Sequence, residues 1–424
     1  MNFHESERYL LSLGNEVSAM KLGLENITRL LAVLGDRQKR YFKVQVAGTN
    51  GKGSVCAFLD SICNSAGIKS GLFTSPHLVS IAERIRINGV EIREERFAEI
   101  ATQIRETAEA LVSKDELKYT PTFFEQVTAI ALVAFADADV ELAILETGLG
   151  GRLDATTAAN AEIAAITQID YDHQEYLGET LAEIAAEKAA IIHAGSQVVV
   201  SHQDPIAAEI IRNRCAEFGI KPNATSGVRT KIRNGLVSFD TGKANYRVGT
   251  LGLLGKHQIE NAKVAILAGE LLQDHFPITL QNIVAGLENA RHPGRLEYQG
   301  NYLFDGAHNP AGAKALAEFL DESVEAPVTL IFGVMGGKDV ASMAEVLFPK
   351  AENVILTQPD NSRAMTAKDI TASLPDGVDK ELMTITATVQ EALQIAKELA
   401  GSDGVILITG SLYLVGEAKK ILNN

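Results

Sequence analysis

Short apolar runs of strand length recur along the chain, and segments with helical spacing lie between them. The runs include Leu142–Leu145 and Ile163–Ile169, and the helical segments include Glu94–Val112 and Phe124–Phe135. A run that is apolar at nearly every position is typical of a parallel strand buried on both faces. Strands that alternate with helices in this way predict an α/β fold with a mainly parallel sheet. In such sheets, site residues are expected at the carboxyl ends of the strands.

The alternation of strands and helices stops near residue 291 and then restarts. Arg291-His-Pro-Gly-Arg295 breaks the periodic pattern, and strand-like and helical segments alternate again from Tyr302 to Leu399. Because 424 residues are more than one hydrophobic core usually serves, two domains are expected. We predict a larger α/β domain at residues 1–293 and a smaller, Rossmann-like α/β domain at residues 294–424.

Composition excludes several classes of partner. The formal net charge of −15 disfavours nucleic acid as a primary partner. Three cysteines in a chain this long do not form a disulfide framework, which favours a reducing compartment. The N-terminus lacks the order of a signal peptide, and no apolar stretch approaches the ~20 residues of a membrane helix. We therefore expect a cytoplasmic protein that binds neither nucleic acid nor a membrane.

A glycine-rich loop follows the predicted strand Lys43–Ala47 and precedes a predicted helix. Glycines let backbone N–H groups turn towards phosphate oxygens, Lys52 can reach the terminal phosphates, and the helix offers its N-terminus to the anion. The loop departs from the general G-x-x-x-x-G-K-[ST] pattern, because Val46 replaces the first glycine and Gly53 precedes Ser54. The alternative is that the loop is only a tight strand-to-helix connection that carries an exposed lysine. We predict that residues 1–293 form an ATP-binding domain and that the loop binds ATP through Thr49, Asn50, Gly51, Lys52, Gly53 and Ser54.

The string Gly48-Thr-Asn-Gly-Lys-Gly-Ser54 closely resembles the phosphate loop of the folylpolyglutamate synthase/dihydrofolate synthase family and, more loosely, that of the Mur peptide ligases. Further motifs that resemble this family occur in order along nearly the whole chain: Lys21–Glu25, Phe73–Leu78, Glu146–Asp154, Asp172-His173, Leu177-Gly178, Glu187-Lys188, Leu254–Gln258, Asn261-Ala262, Gly294–Glu297, Asp305–Pro310, Gly336–Asp339 and Thr409–Tyr413. Two departures, Ala189-Ala190 after Lys188 and a short stretch between Arg295 and Asp305, remove no reactive group.

The resemblance implies two Mg²⁺ sites, with ligands at Ser75, Glu146, His173 and Lys188. Oxygen ligands suit Mg²⁺, whereas a histidine ligand is unusual and His173 has a helix-capping role as its alternative. Lys188 is implied to be carbamylated, which would turn a cation into an anionic oxygen ligand. A lysine that extends to solvent or pairs with a carboxylate is the alternative.

Other residues are assigned to substrates by the same resemblance. Asn261, Arg295 and Asp305 match nucleotide-contacting positions, and His308 is implied to act in catalysis by positioning glutamate. A linker arginine that pairs with a surface carboxylate is the alternative for Arg295. Four residues are our candidates for contacting the pterin of the substrate: Phe123, Phe124, Arg152 and Asp154. An aromatic ring can stack on a flat heterocycle, but the two phenylalanines could instead be ordinary residues of a helix core.

The implied activity is an ATP- and Mg²⁺-dependent ligase of folate biosynthesis and one-carbon metabolism. It would join L-glutamate to folate, folylpolyglutamate or pteroate through an acyl phosphate, and the family is mostly monomeric. Because water hydrolyses an acyl phosphate, closure of the second domain is expected. A Mur-type ligase with another acceptor and a non-catalytic nucleotide-binding regulator are the alternatives. The sequence leaves open whether dihydropteroate, polyglutamate chains or both are extended.

Overall fold

The computed structural model describes residues 1–14, 23–233, 235–375, 378 and 383–423. Lys21 and Leu22 of the Lys21–Glu25 motif lie outside the described residues, as does Asn234, which with Gly235 forms a predicted hairpin turn. The chain divides into two compact units. The first contains residues 1–76, 81–252 and 260–291, and the second contains residues 77–80, 253–259 and 292–424. The domain boundary at 293/294 stays a prediction.

The first unit is built on an eight-stranded sheet, whose strands are β1 Phe42–Ala47, β2 Ser70–Phe73, β3 Ile85–Ile87, β4 Val90–Glu91, β5 Leu142–Glu146, β6 Ile163–Ile166, β7 Gln197–Val200 and β8 Asn223–Ala224. Their order is β4-β3-β2-β5-β1-β6-β7-β8. The six strands from β2 to β8 in this order are parallel, and β3 and β4 form an antiparallel hairpin at one edge. The predicted mainly parallel sheet is confirmed. Asn88-Gly89, a pair whose sequence favours a hairpin turn, connects β3 to β4.

Ten helices surround this sheet within the described residues: α1 Phe3–Ser12, α2 Glu25–Val33, α3 Lys52–Ser65, α4 Glu94–Ser113, α5 Phe123–Asp137, α6 Gln174–Leu177, α7 Leu181–Ala189, α8 Pro205–Glu217, α9 His257–Leu272 and α10 Leu280–Asn289. α5 is almost wholly buried and begins at a capping box between Thr122 and Glu125. α3 lies against α10 so closely that a Cβ on Gly286 would come within 2.5 Å of the Ile62 Cα. None of the described helices is both long and apolar enough to span a membrane.

A small antiparallel sheet, with strands β9 Arg229–Arg233, β10 Leu236–Asp240 and β11 Asn245–Val248, completes the first unit. Its order is β11-β10-β9. Phe239 and Tyr246 are buried on one of its faces. The Tyr246 hydroxyl donates to the buried carboxylate of Glu270 on α9 at 3.0 Å, which joins the small sheet to the helical layer.

The second unit contains a six-stranded sheet and five helices: β12 Glu297–Gln299, β13 Tyr302–Phe304, β14 Val328–Phe332, β15 Asn353–Leu356, β16 Met383–Ile385 and β17 Val405–Thr409, with α11 Pro310–Ser323, α12 Val340–Leu347, α13 Ala367–Ala372, α14 Val389–Ala400 and α15 Leu412–Leu422. The strand order is β12-β13-β17-β14-β15-β16. β12 is antiparallel to β13, and the other neighbours are parallel. A second α/β domain with a mainly parallel sheet is therefore confirmed.

Candidate active site

Four parallel strands of the first unit end beside one another and bring the predicted metal and phosphate residues to one edge. Val46 of β1 is paired with Glu146 of β5, and Phe73 of β2 is paired with Leu145 of β5. On the other side, Ala47 of β1 is paired with Ile166 of β6. Ser75, Glu146, the phosphate loop and the loop to His173 therefore all follow the carboxyl ends of adjacent strands, where α/β sites form.

The phosphate loop has the backbone that an anion site requires. Gly51 directly precedes α3 with a φ of 88°, a left-handed conformation that favours glycine. A Cβ at Gly51 would stand 2.2 Å from Oδ1 of Asn261, so Asn261 lies directly against the loop. Lys52 is the first residue of α3, and Ser54 is buried in its first turn. The loop, the helix N-terminus and Asn261 thus form one cluster, and the role of these residues in ATP binding stays a prediction.

Two lysines converge on a single carbonyl of the phosphate loop. Lys52 Nζ donates to the Gly48 carbonyl at 3.1 Å and to the Thr49 carbonyl at 3.0 Å. Lys188 Nζ, from α7, donates to the same Gly48 carbonyl at 2.8 Å. This contact joins residues 140 positions apart and places Lys188 inside the site rather than towards solvent.

The environment of Lys188 disfavours its charged form. The side chain is buried, and burial together with the nearby Lys52 lowers the pKa of Lys188 to about 7. Asp172, Asp154 and Glu187 oppose this shift, because their negative charges favour the ammonium. A neutral amine is therefore available near physiological pH, and a neutral amine is a nucleophile.

Thr49 ties the phosphate loop to the loop that carries His173. Its hydroxyl donates to the Asp170 carbonyl at 2.9 Å and accepts from the Asp170 N–H at 3.0 Å. The Thr49 N–H donates to the Gln168 carbonyl at 2.9 Å, and Gly48 lies so close to Thr167 that a Cβ there would be 1.9 Å from its hydroxyl oxygen. The side chain of Thr49 thus positions the backbone at Asp170 in the His173 loop, and its predicted contact with ATP stays a prediction.

We expect Thr49→Val to raise the Mg²⁺ concentration that gives half-maximal activity by about tenfold. Valine keeps the shape of threonine but leaves two Asp170 backbone groups without their partner, at a cost of about 1–3 kcal/mol. The Kd for ATP without metal should change less than threefold. Mg²⁺ titration of turnover and calorimetry with ATP measure the two effects. Thr49→Ser keeps the hydroxyl and is the matched control, and equal impairment in both variants would contradict this role.

The predicted metal ligands could contribute part of a Mg²⁺ coordination sphere, and this role stays a prediction. Glu146 is buried and accepts the Ser75 N–H at 3.1 Å, and the buried hydroxyl of Thr147 has no hydrogen-bond partner among the described residues. No group of three His, Cys, Asp or Glu side chains is gathered there within the described residues. Such a donor set fits Mg²⁺, which keeps several waters and takes phosphate oxygens as ligands. The residues that would hold it are Glu146, Ser75, His173 and Lys188.

His173 has a left-handed backbone conformation and contacts the acidic residue that precedes it, Asp172. It has a φ of 52° and stands at the start of the short helix α6. Its N–H donates to Asp172 Oδ1 at 2.9 Å, and its Nε2 lies 3.9 Å from the same oxygen. Asp172 was not among the predicted site residues, although its charge acts on both His173 and Lys188.

The four pterin candidates occupy different environments, and their roles stay predictions. Phe123 is buried beneath the guanidinium of Arg84, which lies 5.4 Å from the ring centroid, whereas Phe124 is half-buried and touches Gly148. Arg152 pairs with Glu187 at 2.9 Å. The buried carboxylate of Asp154 accepts the N–H groups of Gly148, Leu149 and Thr156 and the Thr156 hydroxyl, and burial raises its pKa. In this structure Asp154 shapes the loop after β5.

A second cluster lies in the second unit, at the carboxyl end of β13. The Asp305 carboxylate accepts the Leu296 N–H at 3.0 Å and the Ala307 N–H at 2.9 Å. Leu296 has a φ of 44°, a strained conformation for a branched residue, so Asp305 holds the backbone beside Arg295 in an unusual shape. Arg295 is packed against Gly306, and His308 Nδ1 lies 2.8 Å from the Gly306 carbonyl. Three predicted residues, Arg295, Asp305 and His308, are therefore neighbours.

The sequence prediction missed one member of this second cluster. His257 keeps an exposed surface, yet neighbouring atoms remove water from part of its ring and lower its pKa; Asp305 opposes this shift and Arg295 adds to it. These effects place the imidazole within electrostatic range of both predicted nucleotide residues. The Leu254–Gln258 motif was the available signal, because it contains a histidine just before an apolar helix.

Comparisons with protein families match most of the chain. The Mur ligase middle domain matches residues 46–269, and the Mur ligase glutamate ligase domain matches residues 294–412. A dihydrofolate synthase/folylpolyglutamate synthase of Bacillus subtilis is 34% identical, over 95% of this chain and 95% of its own length. The chain belongs to the Mur ligase family and, within it, to the folylpolyglutamate and dihydrofolate synthases.

Some relatives are longer proteins. A probable bifunctional folylpolyglutamate synthase/dihydropteroate synthase of Halobacterium salinarum is 36% identical over 99% of this chain but only 51% of its own length. A similar protein of Haloferax volcanii is matched over 50% of its length. The chain thus spans about half the length of these two archaeal relatives.

Solved structures share the whole fold of the chain. Folylpolyglutamate synthase of Mycobacterium tuberculosis in complex with ADP has a TM-score of 0.92 and 28% identity, covering 100% of this chain and 98% of that one. E. coli FolC in complex with DHPP and ADP has a TM-score of 0.88 and 27% identity over the same shares. The bifunctional enzyme of Yersinia pestis, complexed with AMPPNP and Mn ion, has a TM-score of 0.87 and 27% identity, also over 100% and 98%.

Proposed function

We propose that this protein is an ATP- and Mg²⁺-dependent ligase that joins the carboxyl group of a folate-type substrate to the amine of L-glutamate. The observation that carries the proposal is the convergence of Lys52 and Lys188 on the Gly48 carbonyl, at the strand edge where Glu146 and His173 also lie. A phosphate loop alone would fit many nucleotide-binding proteins. A buried lysine next to that loop, with a pKa near 7, fits a site built for an additional anionic ligand.

The reaction proceeds by acyl activation. A carboxylate oxygen of the folate-type substrate attacks the γ-phosphorus of ATP, the bond to the bridging oxygen breaks, and ADP leaves. The glutamate amine then attacks the acyl carbon, loses a proton, and expels phosphate to give the amide. Phosphoryl transfer of this kind depends on positioning and on neutralising charge. Lys52 and the N-terminus of α3 supply positive potential at the phosphates, and a bound divalent metal would add charge at the same oxygens.

Lys188 is proposed to act as a carbamate. The neutral amine nitrogen attacks CO₂, one C–O π bond becomes a carboxylate, and the nitrogen releases a proton to solvent. The product is an anionic oxygen ligand beside the phosphate loop, in a chain whose described side chains gather no three acidic, histidine or cysteine ligands. This role accounts for the burial of a lysine that would otherwise cost stability without a gain.

Asp305 and His308 are proposed to act on nucleotide and on glutamate respectively. Asp305→Ala should weaken ATP binding about tenfold, because it also releases the strained backbone beside Arg295. His308→Ala should lower turnover about a hundredfold and leave binary ATP affinity nearly unchanged. Calorimetric titration with ATP and steady-state kinetics separate the two variants. Equal loss of ATP affinity in both would place His308 with the nucleotide instead.

Two other functions remain as alternatives with distinct outcomes. A Mur-type ligase would use the same phosphate chemistry on another acceptor, and a nucleotide-binding regulator would bind ATP without turnover. The relatives named for folylpolyglutamate synthesis, dihydrofolate synthesis or both favour the folate acceptor. We propose that the protein acts as a monomer on folate or folylpolyglutamate, and on dihydropteroate as well.

An ADP-release assay tests the proposal. The purified chain is given ATP and Mg²⁺ with dihydropteroate, tetrahydrofolate or a UDP-muramoyl peptide, each with and without L-glutamate. ADP release that requires both a pteridine substrate and glutamate is the expected result. Release that requires the muramoyl peptide would establish the Mur-type alternative, and no glutamate-dependent release with any acceptor would overturn the ligase.

A further inference from the structure

The small sheet β9–β11 has two faces of opposite character. Its register places Ile232, Val237 and Val248 in one row and Thr230, Phe239 and Tyr246 in the next row of the same face. Val237, Phe239, Tyr246 and Val248 are buried, whereas Ile232 at the edge of this face is 57% exposed. Glu270 fixes that face, because its buried carboxylate accepts the hydroxyls of Thr241 and Tyr246 at 2.5 and 3.0 Å. These hydrogen bonds anchor the sheet to α9.

The opposite face of the sheet, which we term the basic face, is cationic and exposed. It carries Arg229, Lys231 and Arg233 at alternate positions of β9, and Arg247 lies in the same row as Lys231 on β11. Asp240 is the acidic residue of this face, and it is paired with Arg229 at 2.7 Å. Within the described part of the chain, Lys231, Arg233 and Arg247 form no salt bridge.

This concentration of positive charge contrasts with the rest of the chain, whose net charge is −15. Surface charges of both signs, scattered over the protein, would be enough to keep it soluble. Solubility alone therefore does not explain a sheet face that is mainly cationic. Asp240 offsets part of this charge, since Arg229 pairs with it and Lys231 acts on it electrostatically. The remaining excess of exposed cations creates a local positive potential, and that potential attracts polyanions despite the net charge. A polycarboxylate is the complementary ligand.

We propose that the basic face binds the poly-γ-glutamate tail of folates that already carry several glutamates. This inference rests on the proposed function, since it names a ligand of the same substrate class at a second place on the first unit. Alternate residues along a strand stand about 6.6 Å apart. A γ-linked glutamate adds five chain atoms and one free α-carboxylate, so carboxylates of an extended tail recur about every 6 Å. The cations of β9 match this repeat.

Apolar contacts on the same sheet fit such a tail as well. Leu236 is paired with Arg233 on the basic face and is 50% exposed. Each γ-linked glutamate presents two methylene groups, which a half-exposed leucine can cover while the carboxylates reach the cations. A nucleic acid would instead need stacking partners, and the described residues of the basic face include no aromatic side chain.

Fluorescence anisotropy with a labelled γ-linked pentaglutamate, free of any pteroyl group, tests the basic face directly. We expect saturable binding that weakens as salt rises and that strengthens roughly threefold per glutamate from two to four residues. The double variant Lys231→Glu/Arg247→Glu should weaken binding about tenfold or more. Lys397→Glu/Arg212→Glu, two exposed cations elsewhere, is the matched control and should bind as the parent does.

The same variants separate this inference from the proposed function. ADP release with a monoglutamate substrate should be unchanged in Lys231→Glu/Arg247→Glu, because the face is not part of the catalytic machinery. A chain that binds the pentaglutamate but releases no ADP would overturn the ligase and leave the face intact. Equal binding by the double variant and the parent would overturn the inference. So would equal affinity for single-stranded DNA of matched charge, because the face would then be a general polyanion surface.

Discussion

Replacing Lys52 with alanine will lower ligase turnover by about a thousandfold or more. Lys52 begins α3 and places its ammonium at the Gly48 and Thr49 carbonyls, within the loop that we propose binds the phosphates. Lys188 is the other lysine at this loop, and burial lowers its pKa to about 7. Of these two lysines, Lys52 is therefore the one that carries a full positive charge when the γ-phosphoryl group moves. ADP release under saturating substrates measures the loss.

Two companion variants make the Lys52 result specific. Lys39→Ala removes an exposed lysine that pairs with Asp36 just before β1, and it should keep nearly the parent activity. Lys52→Ala should unfold at the parent temperature, since within the described residues the Lys52 ammonium donates its hydrogen bonds to carbonyls of the loop itself. A Lys52→Ala enzyme within tenfold of the parent would mean that the loop does not carry the phosphoryl group.

The features of this fold that depend on residues close together in the sequence were predictable from the sequence. The phosphate loop was recognised because glycines, a lysine and a following apolar helix are contiguous in residues 48–66. The parallel strands β5 and β6 were recognised because burial on both faces makes them apolar throughout. α8 was missed, since only a narrow stripe of Ala207, Ile211 and Cys215 is buried. α1 and α15 were missed as well.

The contacts that build the site were harder to predict, because they join distant parts of the chain. Lys188 reaches the Gly48 carbonyl across 140 positions, and Thr49 reaches Asp170 across 121. Periodicity gave Lys188 a place on a helix but not the partner it meets there. Asp154 shows the converse limit: its motif is recognisable, yet its carboxylate is satisfied within its own loop. A motif identifies a residue type, and the fold decides which atoms that residue meets.

Lys188→Ala will be folded and nearly inactive, by about a hundredfold or more, because it removes the proposed carbamate from the metal edge of the site. A small carboxylate such as acetate should restore part of that activity by occupying the same space. The parent enzyme should lose activity reversibly when CO₂ and bicarbonate are removed. At fixed CO₂, the carbamate should form faster as pH rises through about 7, because the neutral amine becomes the main form above the pKa.

Unfolding measurements give a second readout for Lys188 that does not depend on catalysis. Its pKa in the folded chain, about 7, lies below the ordinary lysine value near 10.4, so the unfolded chain binds more protons between these two pH values. In CO₂-free buffer the unfolding free energy should therefore rise with pH across this window for the parent. Lys188→Met keeps the side-chain length without a titrating group, and this contribution should be absent. Full activity in Lys188→Ala, or an unmodified Lys188 amine in a high-resolution map of active crystals, would rule out the carbamate.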